Sequence, residues 1–347
     1  MKRKGVAGKD RKRFPSRIHT MSKRRESRSA GTPRGKGGVI PAGKWIKGVG
    51  PEMTTGAVAI ECLLSRFETV LYWLPLAAAH PEEDIEYVHQ LRVSLRRLIT
   101  NLRAFRALLR RKPCDRLRDA LRVLLKGAGA ARDADVLLER FRAGDAVKSP
   151  GIQAVVARLE LERVSAQEMI LAAYHEYPPG WLRERFDETV LPLLKKKPKK
   201  SRKAKAAFGA FARELLVPFA ERFDGAYRGI GNDLADLHAF RVAGKKLRYS
   251  LEIAAGAFEK PRRREVYARL VSLQEILGTL NDHYQMALRF EQWPGGEGVV
   301  EGMIASERMI VADLRGLFAQ WWPKWKHDRF VWSLRALMKS TDEQGKP

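Results

Sequence analysis

The sequence is poor in cysteine and has no long apolar run. Only two cysteines, Cys62 and Cys114, occur among 347 residues, which argues against a disulfide framework and favours a reducing compartment. No apolar run approaches the ~20 residues that a membrane span needs, and the basic N-terminus lacks the apolar core of a secretory signal. We therefore expect a soluble, cytoplasmic protein without a membrane partner.

Acidic residues are also scarce, since 66 Lys and Arg face 40 Asp and Glu and the formal net charge is +26. Residues 1–50 alone hold 16 Lys and Arg against 2 acidic residues, with almost no apolar residue before Trp45. Such a segment cannot bury enough surface to offset its chain entropy. We predict a disordered basic arm over 1–50 and attraction of the whole chain to polyanions.

The sequence lacks the two-residue alternation of β-strands, and its apolar periodicity indicates helices almost throughout. The run Lys195–Lys205 is basic and contains Pro198, which predicts a linker over 195–203 between helical bundles at 51–194 and 204–347. Glycines at three positions are interpreted as helix C-terminal stops: Gly127, Gly129 and Gly278. The predicted helices cover 54–74, 82–111, 114–127, 131–143, 151–176, 181–194, 204–224, 233–257, 262–277, 280–292, 298–321 and 327–339.

Two motifs occur twice, in the same order and with a constant offset of 149 residues. The run Val88–Leu98 corresponds to Leu237–Leu247, and Leu125–Asp133 corresponds to Gln274–Asp282. A constant offset over two motifs indicates a duplicated unit. We predict an all-α fold of two antiparallel helical bundles related by a pseudo-twofold axis.

The helix around His89 carries an apolar stripe beside a cationic sector. Leucines and Phe105 recur every three or four residues. The sector beside them contains His89, Arg92, Arg96, Arg103 and Arg110. From His89 to Lys112 there is no Asp or Glu, so like charges stack one turn apart at a cost to the helix. The second copy repeats this sector with His238, Arg241, Lys245 and Arg248. A solvated charged face is the plainer interpretation, but a bound anion would relieve the repulsion between like charges in both copies of the sector.

Arg and Lys suit this chemistry because a guanidinium holds two phosphate oxygens at once and an ammonium acts as a mobile point charge. Helix geometry spaces such cations by about 5.4 Å per turn, which fits a linear polymer of phosphates. Each imidazole, surrounded by cations, is expected to be held neutral and to form a hydrogen bond.

These residues resemble a known family. His-x-x-Arg-Val-x-x-Arg-Arg-Leu, followed by Gly129–Val136, and the second-half runs Lys245–Tyr249 and Leu277–Asp282 resemble the CHAD domain, the conserved histidine α-helical domain, over about 54–340. The resemblance implies two bundles flanking a basic central cavity that binds inorganic polyphosphate, and association with polyphosphate granules. It implies a site formed by His89, Arg92, Arg96, Arg97, Arg103, Arg132, His238, Arg241, Lys245, Lys246, Arg248 and Tyr249.

The chain departs from strict repetition at Arg132, whose counterpart is Asn281, which puts symmetric binding in doubt. Asp133 and Asp282 match the family pattern and have two open interpretations, as helix N-caps or as groups that orient arginines. Residues 1–50 contain one Glu, Glu26, and no strand like that of the triphosphate-tunnel domains found in some family members. The pattern therefore favours a stand-alone binding module that requires no metal or cofactor.

Three alternatives remain open. A polyphosphate-acting phosphohydrolase needs a metal cluster or an activated nucleophile, and only the isolated pair His327–Asp328 hints at one. Nonspecific nucleic-acid binding through residues 1–50 would follow from counterion release. A granule-coat protein could use the C-terminal tryptophans, although their spacing indicates a core role: Trp321, Trp322, Trp325 and Trp332. The sequence leaves the oligomeric state unknown.

Overall fold

The computed structural model describes residues 41–142, 150–194, 202–231, 233–293, 298–325 and 327–338. Over these ranges the chain forms eleven α-helices and no β-strand, which confirms the predicted all-α class. None of these helices combines the length and apolar character needed to cross a membrane. The helices are α1 (Thr55–Ala79), α2 (Glu86–Ala104), α3 (Arg111–Arg142), α4 (Pro150–Glu176), α5 (Pro179–Leu194), α6 (Arg202–Lys205), α7 (Phe208–Arg228), α8 (Leu234–Ala254), α9 (Lys260–Glu291), α10 (Val299–Trp325) and α11 (His327–Met338).

The helix bounds repeat the offset found in the sequence. Both ends of α3 recur in α9, and both ends of α4 recur in α10, each displaced by 149 residues. A short 3₁₀ turn also follows each basic helix, at Arg106–Leu108 and at Ala255–Ala257. The two halves are therefore built from corresponding elements, and positions 149 residues apart are called equivalent below.

The apolar stripe of the basic helix α2 lies in the core. Leu91, Leu95, Leu98 and Leu102 are fully buried, as is Phe105 at its C-terminal end. This burial supplies most of the stability of the helix, because an isolated helix of this length is marginal in water. The same packing fixes which side of α2 presents its arginines, since residues three and four apart share a face.

Glycine does not end the long helices, so the predicted stops were wrong. Gly127 and Gly129 lie inside α3, and Gly278 lies inside α9. At Gly127 a Cβ atom would come within 3.2 Å of Ile170 on α4, so this glycine permits close approach of the two helices. At Gly129 and Gly278 the added atom would meet open space. Burial along the rest of each helix offsets the ~1 kcal/mol that each glycine costs.

Residues 41–50 pack on the helices, so the predicted boundary of the arm at residue 50 was wrong. The guanidinium of Arg66, 2% exposed, donates to the carbonyls of Gly43 (2.5 Å) and Lys44 (2.8 Å). Trp45 lies edge-on to Tyr267 at 4.7 Å between ring centroids. Aromatic and buried polar contacts thus order this segment despite its glycines. Residues 1–40 and 195–201 lie outside the described residues, so disorder of the arm and the linker stays a prediction, although Arg202 and Lys203 belong to α6.

The two halves meet through equivalent elements. Helices α1 and α7, α2 and α8, and α4 and α10 contact each other. One apolar cluster includes the equivalent residues Leu137 and Met286, with Phe141 and Phe290 at 6.0 Å between ring centroids. Equivalent residues meet in this way near a twofold axis, but the pseudo-twofold relation itself stays a prediction.

Candidate functional site

The predicted cationic sectors of the two halves come together where α2 contacts α8. Arg96 of α2 interacts electrostatically with Arg241 and Lys245 of α8, although these residues are about 145 to 150 positions apart in the chain. Burial, then the charges of Arg241 and Arg96, lower the pKa of Lys245 to about 8. Burial also lowers the pKa of Arg241, against the opposing influence of Asp282. The fold therefore places like charges together in a partly buried position.

Each half orients an equivalent arginine with an equivalent aspartate. Arg92 Nη1 lies 2.9 Å from Asp133 Oδ1, and Arg241 Nη2 lies 3.8 Å from Asp282 Oδ1. Both aspartates lie well inside the continuous helices α3 and α9, so their interpretation as helix caps was wrong. The structure favours the other interpretation, in which these aspartates orient arginines at the site.

The two histidines have different surroundings. The ring Nδ1 of His238 lies 2.7 Å from Oδ1 of Asn281, the residue that replaces an arginine in the second half. Because an amide oxygen accepts, the ring donates through Nδ1 in this contact. In the first half His89 is half-buried. Arg132 Nη1 is buried and has no hydrogen-bond partner within the described ranges.

A buried carboxylate links the two basic helices. Glu252 of α8 accepts from Arg97 Nε of α2 at 3.1 Å and from the hydroxyl of Tyr267 at 2.8 Å. Arg248 Nη1 lies 3.4 Å from the same carboxylate and donates to Tyr267 at 3.0 Å. Burial and the adjacent Glu252 raise the pKa of Tyr267 to about 12, so it remains a hydrogen-bond donor. Tyr249 lies against the Arg248 guanidinium, which is 4.7 Å from its ring centroid.

The site is not symmetric in charge. The equivalents of Arg97 and Glu252 are Lys246 and Arg103, so an ion pair on one side corresponds to two cations on the other. Both cations are exposed, and neither pairs with a carboxylate of the described residues. No hydrogen bond or ion pair joins Arg103 or Lys246 to another predicted site residue among the described residues. Both add positive charge to the two basic helices, Arg103 on α2 and Lys246 on α8.

Sequence reasoning missed three residues of this region: Arg66, Glu252 and Tyr267. Burial lowers the pKa of Arg66 to about 10, with a further contribution from the charge of Arg97. Arg66 and Arg97 line a small cavity of about 30 Å³ beneath residues 41–42. The one available signal was the spacing of Glu252 four residues after Arg248, which predicts a pair on one helix face. Nothing local indicates the contacts of Arg66 or Tyr267 across the fold.

Residues suited to metal binding do not cluster in the part of the chain that the structure describes, where no group of three or more His, Cys, Asp or Glu could hold an ion. His327 is a packed residue, because it stacks on Tyr227 and its Nε2 lies 2.8 Å from Asp224 Oδ1. Trp325 is buried beside it, as expected of a core residue, whereas Trp332 is 70% exposed and its predicted core role was wrong.

Comparison with known proteins shows the family to which this helical fold belongs. The family profile of the CHAD domain matches residues 61–291, which include both basic helices and both orienting aspartates. The chain belongs to the CHAD domain family. Among solved structures, this CHAD domain resembles the crystal structure of the CHAD domain from the plant Ricinus communis, with 23% identity, a TM-score of 0.62 and coverage of 81% of this chain and 96% of that one.

A second similar structure is PptA from Streptomyces chartreusis, with 21% identity, a TM-score of 0.57 and coverage of 78% of this chain and 100% of that one. Comparison with curated proteins found no match. At these identities the two structures support the fold of this CHAD domain and leave its ligand to be argued from its own residues.

Proposed function

We propose that this CHAD domain binds inorganic polyphosphate at the junction of α2 and α8, without catalysing a reaction on it. The observation that carries the proposal is the meeting of Arg96 with Arg241 and Lys245 in a partly buried position. Charges of one sign placed together with limited solvent repel each other. A polyanion lying between the two helices removes that repulsion and gains charge-assisted hydrogen bonds.

The charge balance supports a highly anionic ligand. The predicted site contains nine Arg and Lys residues, and three carboxylates pair with members of this group. Eight of the nine lie on α2 and α8, and Arg132 lies on α3. Along a helix, cations one turn apart are separated by about 5.4 Å. Asp133 and Asp282 hold their arginines in place, so less conformational entropy is lost when a phosphate binds. A linear polymer of phosphates matches this arrangement better than a single small anion does.

The arrangement favours binding over hydrolysis because the cations surround the junction, whereas each nearby carboxylate is paired with an arginine or supports one. The alternative of nucleic-acid binding was assigned to residues 1–50, of which 1–40 lie outside the described residues. Association with polyphosphate granules in the cytoplasm is part of the proposal, since a domain that holds the polymer would be retained where it accumulates.

The test is calorimetric titration of the full chain with long-chain polyphosphate at two salt concentrations. Arg92→Ala/Arg241→Ala removes one oriented guanidinium from each half. A matched double variant, Arg122→Ala/Arg228→Ala, removes the same charge from exposed arginines that pair within their own helices. Hydrogen bonds to charged groups contribute roughly 1.5–3 kcal/mol each, so the site variant should lose at least about 100-fold in affinity.

The salt dependence gives a second readout. Loss of two phosphate contacts should lower the slope of log K against log salt by about 1.4 in magnitude, if polyphosphate behaves as a single-stranded polyanion. Equal affinities for the two double variants would refute the proposed site. Single-stranded DNA serves as a competitor, and DNA binding that is the same in both variants would assign nucleic-acid binding to another part of the chain.

A further inference from the structure

The cavity beneath residues 41–42 is confined and cationic. Its volume is about 30 Å³, and Arg66 of α1 and Arg97 of α2 both line it. Pro41 and Ala42 line it from the segment that precedes α1. The described residues of its wall include no Asp or Glu. Two cationic side chains from different helices therefore share a small space whose described wall holds no carboxylate.

Arg66 has a donor that the described residues do not use. Its terminal nitrogens donate to the carbonyls of Gly43 (2.5 Å) and Lys44 (2.8 Å). Its Nε is buried and has no hydrogen-bond partner among the described residues, and the residue as a whole is 2% exposed. A buried donor without a partner loses its hydration and gains nothing in return. A ligand in the cavity would supply the missing acceptor.

The other polar groups of the wall leave mainly guanidinium donors for a ligand. The hydroxyls of Thr69 and Ser94 each donate to a backbone carbonyl of their own helix, at 2.7 and 2.9 Å. Arg97 donates to Glu252 through Nε at 3.1 Å, so its terminal nitrogens are not part of that contact. A water molecule in the cavity would also need acceptors for its own two protons, whereas an anion needs only donors. The donor set therefore favours an anion.

The charge around the cavity has the same implication. Glu252 is a buried carboxylate that pairs with Arg97 and Arg248. With Arg66, three guanidiniums stand against one carboxylate, a surplus of two positive charges. Burial and the charge of Arg97 lower the pKa of Arg66, as expected where cations repel each other with little solvent between them. One monovalent anion in the cavity would halve the surplus.

We propose that this cavity is a binding site for one chloride ion, held by the guanidiniums of Arg66 and Arg97. Size decides between anions. A cavity of roughly 150 Å³ holds benzene, which has six heavy atoms. The volume of about 30 Å³ therefore accommodates a monatomic anion and excludes sulfate or phosphate, which have five heavy atoms. The equivalent of Arg66 in the second half is Leu215, so we expect one such ion in each chain.

The ion would fasten the segment before α1 to both helices. Arg66 already holds the carbonyls of this segment, and the ion would join Arg66 to Arg97 of the neighbouring helix. Binding of chloride requires neither polyphosphate nor the cations at the junction of α2 and α8 that carry the proposed function. The two proposals can therefore fail separately, although Arg97 belongs to both predicted sites.

The first test is a crystal structure of the full chain in which bromide replaces chloride. Bromide has the same charge and nearly the same size, and its anomalous scattering locates it. We expect one bromide peak in the cavity, within hydrogen-bond distance of Arg66 Nε. A water molecule at that position, or bromide peaks only elsewhere, would overturn the proposal.

The second test is urea unfolding at constant ionic strength while chloride replaces gluconate, an anion too large for the cavity. Above half-saturation, each tenfold rise in chloride should raise the folding equilibrium constant up to about tenfold. Arg66→Gln should lose this dependence. The matched variant Arg122→Gln, which removes an exposed arginine paired with Asp119, should keep it.

The outcomes of the two tests decide the proposal together. An equal chloride dependence in both variants would mean that bromide in the cavity is an adventitious ion only. If Arg66→Gln does not fold, the unaltered chain decides, since a stability that does not change with chloride also overturns the site. A bromide peak in the cavity together with chloride-dependent stability supports it. None of these results alters the polyphosphate titration.

Discussion

Replacement of Glu252 by glutamine tests how the two basic helices are held together. The carboxylate is 3% exposed, and its partners Arg97 and Arg248 are 19% and 20% exposed. Glutamine keeps the shape and can still accept from Tyr267, but it leaves two guanidiniums and the nearby Arg66 without their shared negative charge. The variant therefore measures the contribution of the negative charge while the packing of the side chain is kept.

The expected cost is about 3 kcal/mol of unfolding free energy. Removing one partner from a buried ion pair costs roughly 3–5 kcal/mol, and the lower end applies because both arginines keep about a fifth of their surface in water. Glu160→Gln is the matched control, since Glu160 is 48% exposed and pairs with the exposed Arg142. An exposed pair of this kind contributes at most about 1 kcal/mol.

Urea unfolding, followed by tryptophan fluorescence, measures both variants without ligand. Polyphosphate titration should show an effect opposite to the loss of stability. The affinity of Glu252→Gln for polyphosphate should rise, because guanidiniums freed from Glu252 become available to phosphate. Saturating polyphosphate should accordingly restore part of the lost stability. The reasoning fails if Glu252→Gln is as stable as Glu160→Gln, or if the variant is destabilised and also binds polyphosphate more weakly.

Three further changes test the packing and the pH dependence. Gly129→Ala should raise the unfolding free energy by about 0.5–1 kcal/mol, whereas Gly127→Ala should not, because its methyl group would lie 3.2 Å from Ile170; urea unfolding distinguishes them. Burial lowers the pKa of His327 below its ordinary 6.5, so the unfolded chain binds an extra proton and stability should fall as pH decreases below about 6.5; His327→Phe should flatten that slope. Trp332→Ser should change stability by less than about 0.5 kcal/mol, because this side chain is 70% exposed.

The sequence predicted the helical class and the composition of the basic helices, because both depend on local periodicity. The stripe from Leu91 to Leu102 and the cations beside it follow from spacings of three and four residues. The offset of 149 residues likewise anticipated which helices correspond. These features need no knowledge of how distant segments meet.

The contacts that define the junction could not be predicted in the same way. Arg97 and Glu252 are 155 residues apart, and nothing in either local sequence specifies the other. The low helix propensity of glycine led to the wrong prediction that a helix ends at Gly127. The packing of α3 on α4 outweighs the free-energy cost of this glycine inside a helix. Residues 41–50 have the composition of a flexible segment, yet carbonyl groups held by Arg66 fix their course.

In the apolar cluster where the halves meet, Phe141 lies against its own equivalent, Phe290. In a homodimer of one half, a single substitution in this cluster would alter both faces of the contact at once. In a single chain each face can change alone, as Leu137 and its equivalent Met286 in the same cluster illustrate. The same freedom lets Arg103 differ from its equivalent Glu252. A contact that two identical copies would form symmetrically can therefore differ between its two sides, with an ion pair on one side and two cations that remain available to an anion on the other.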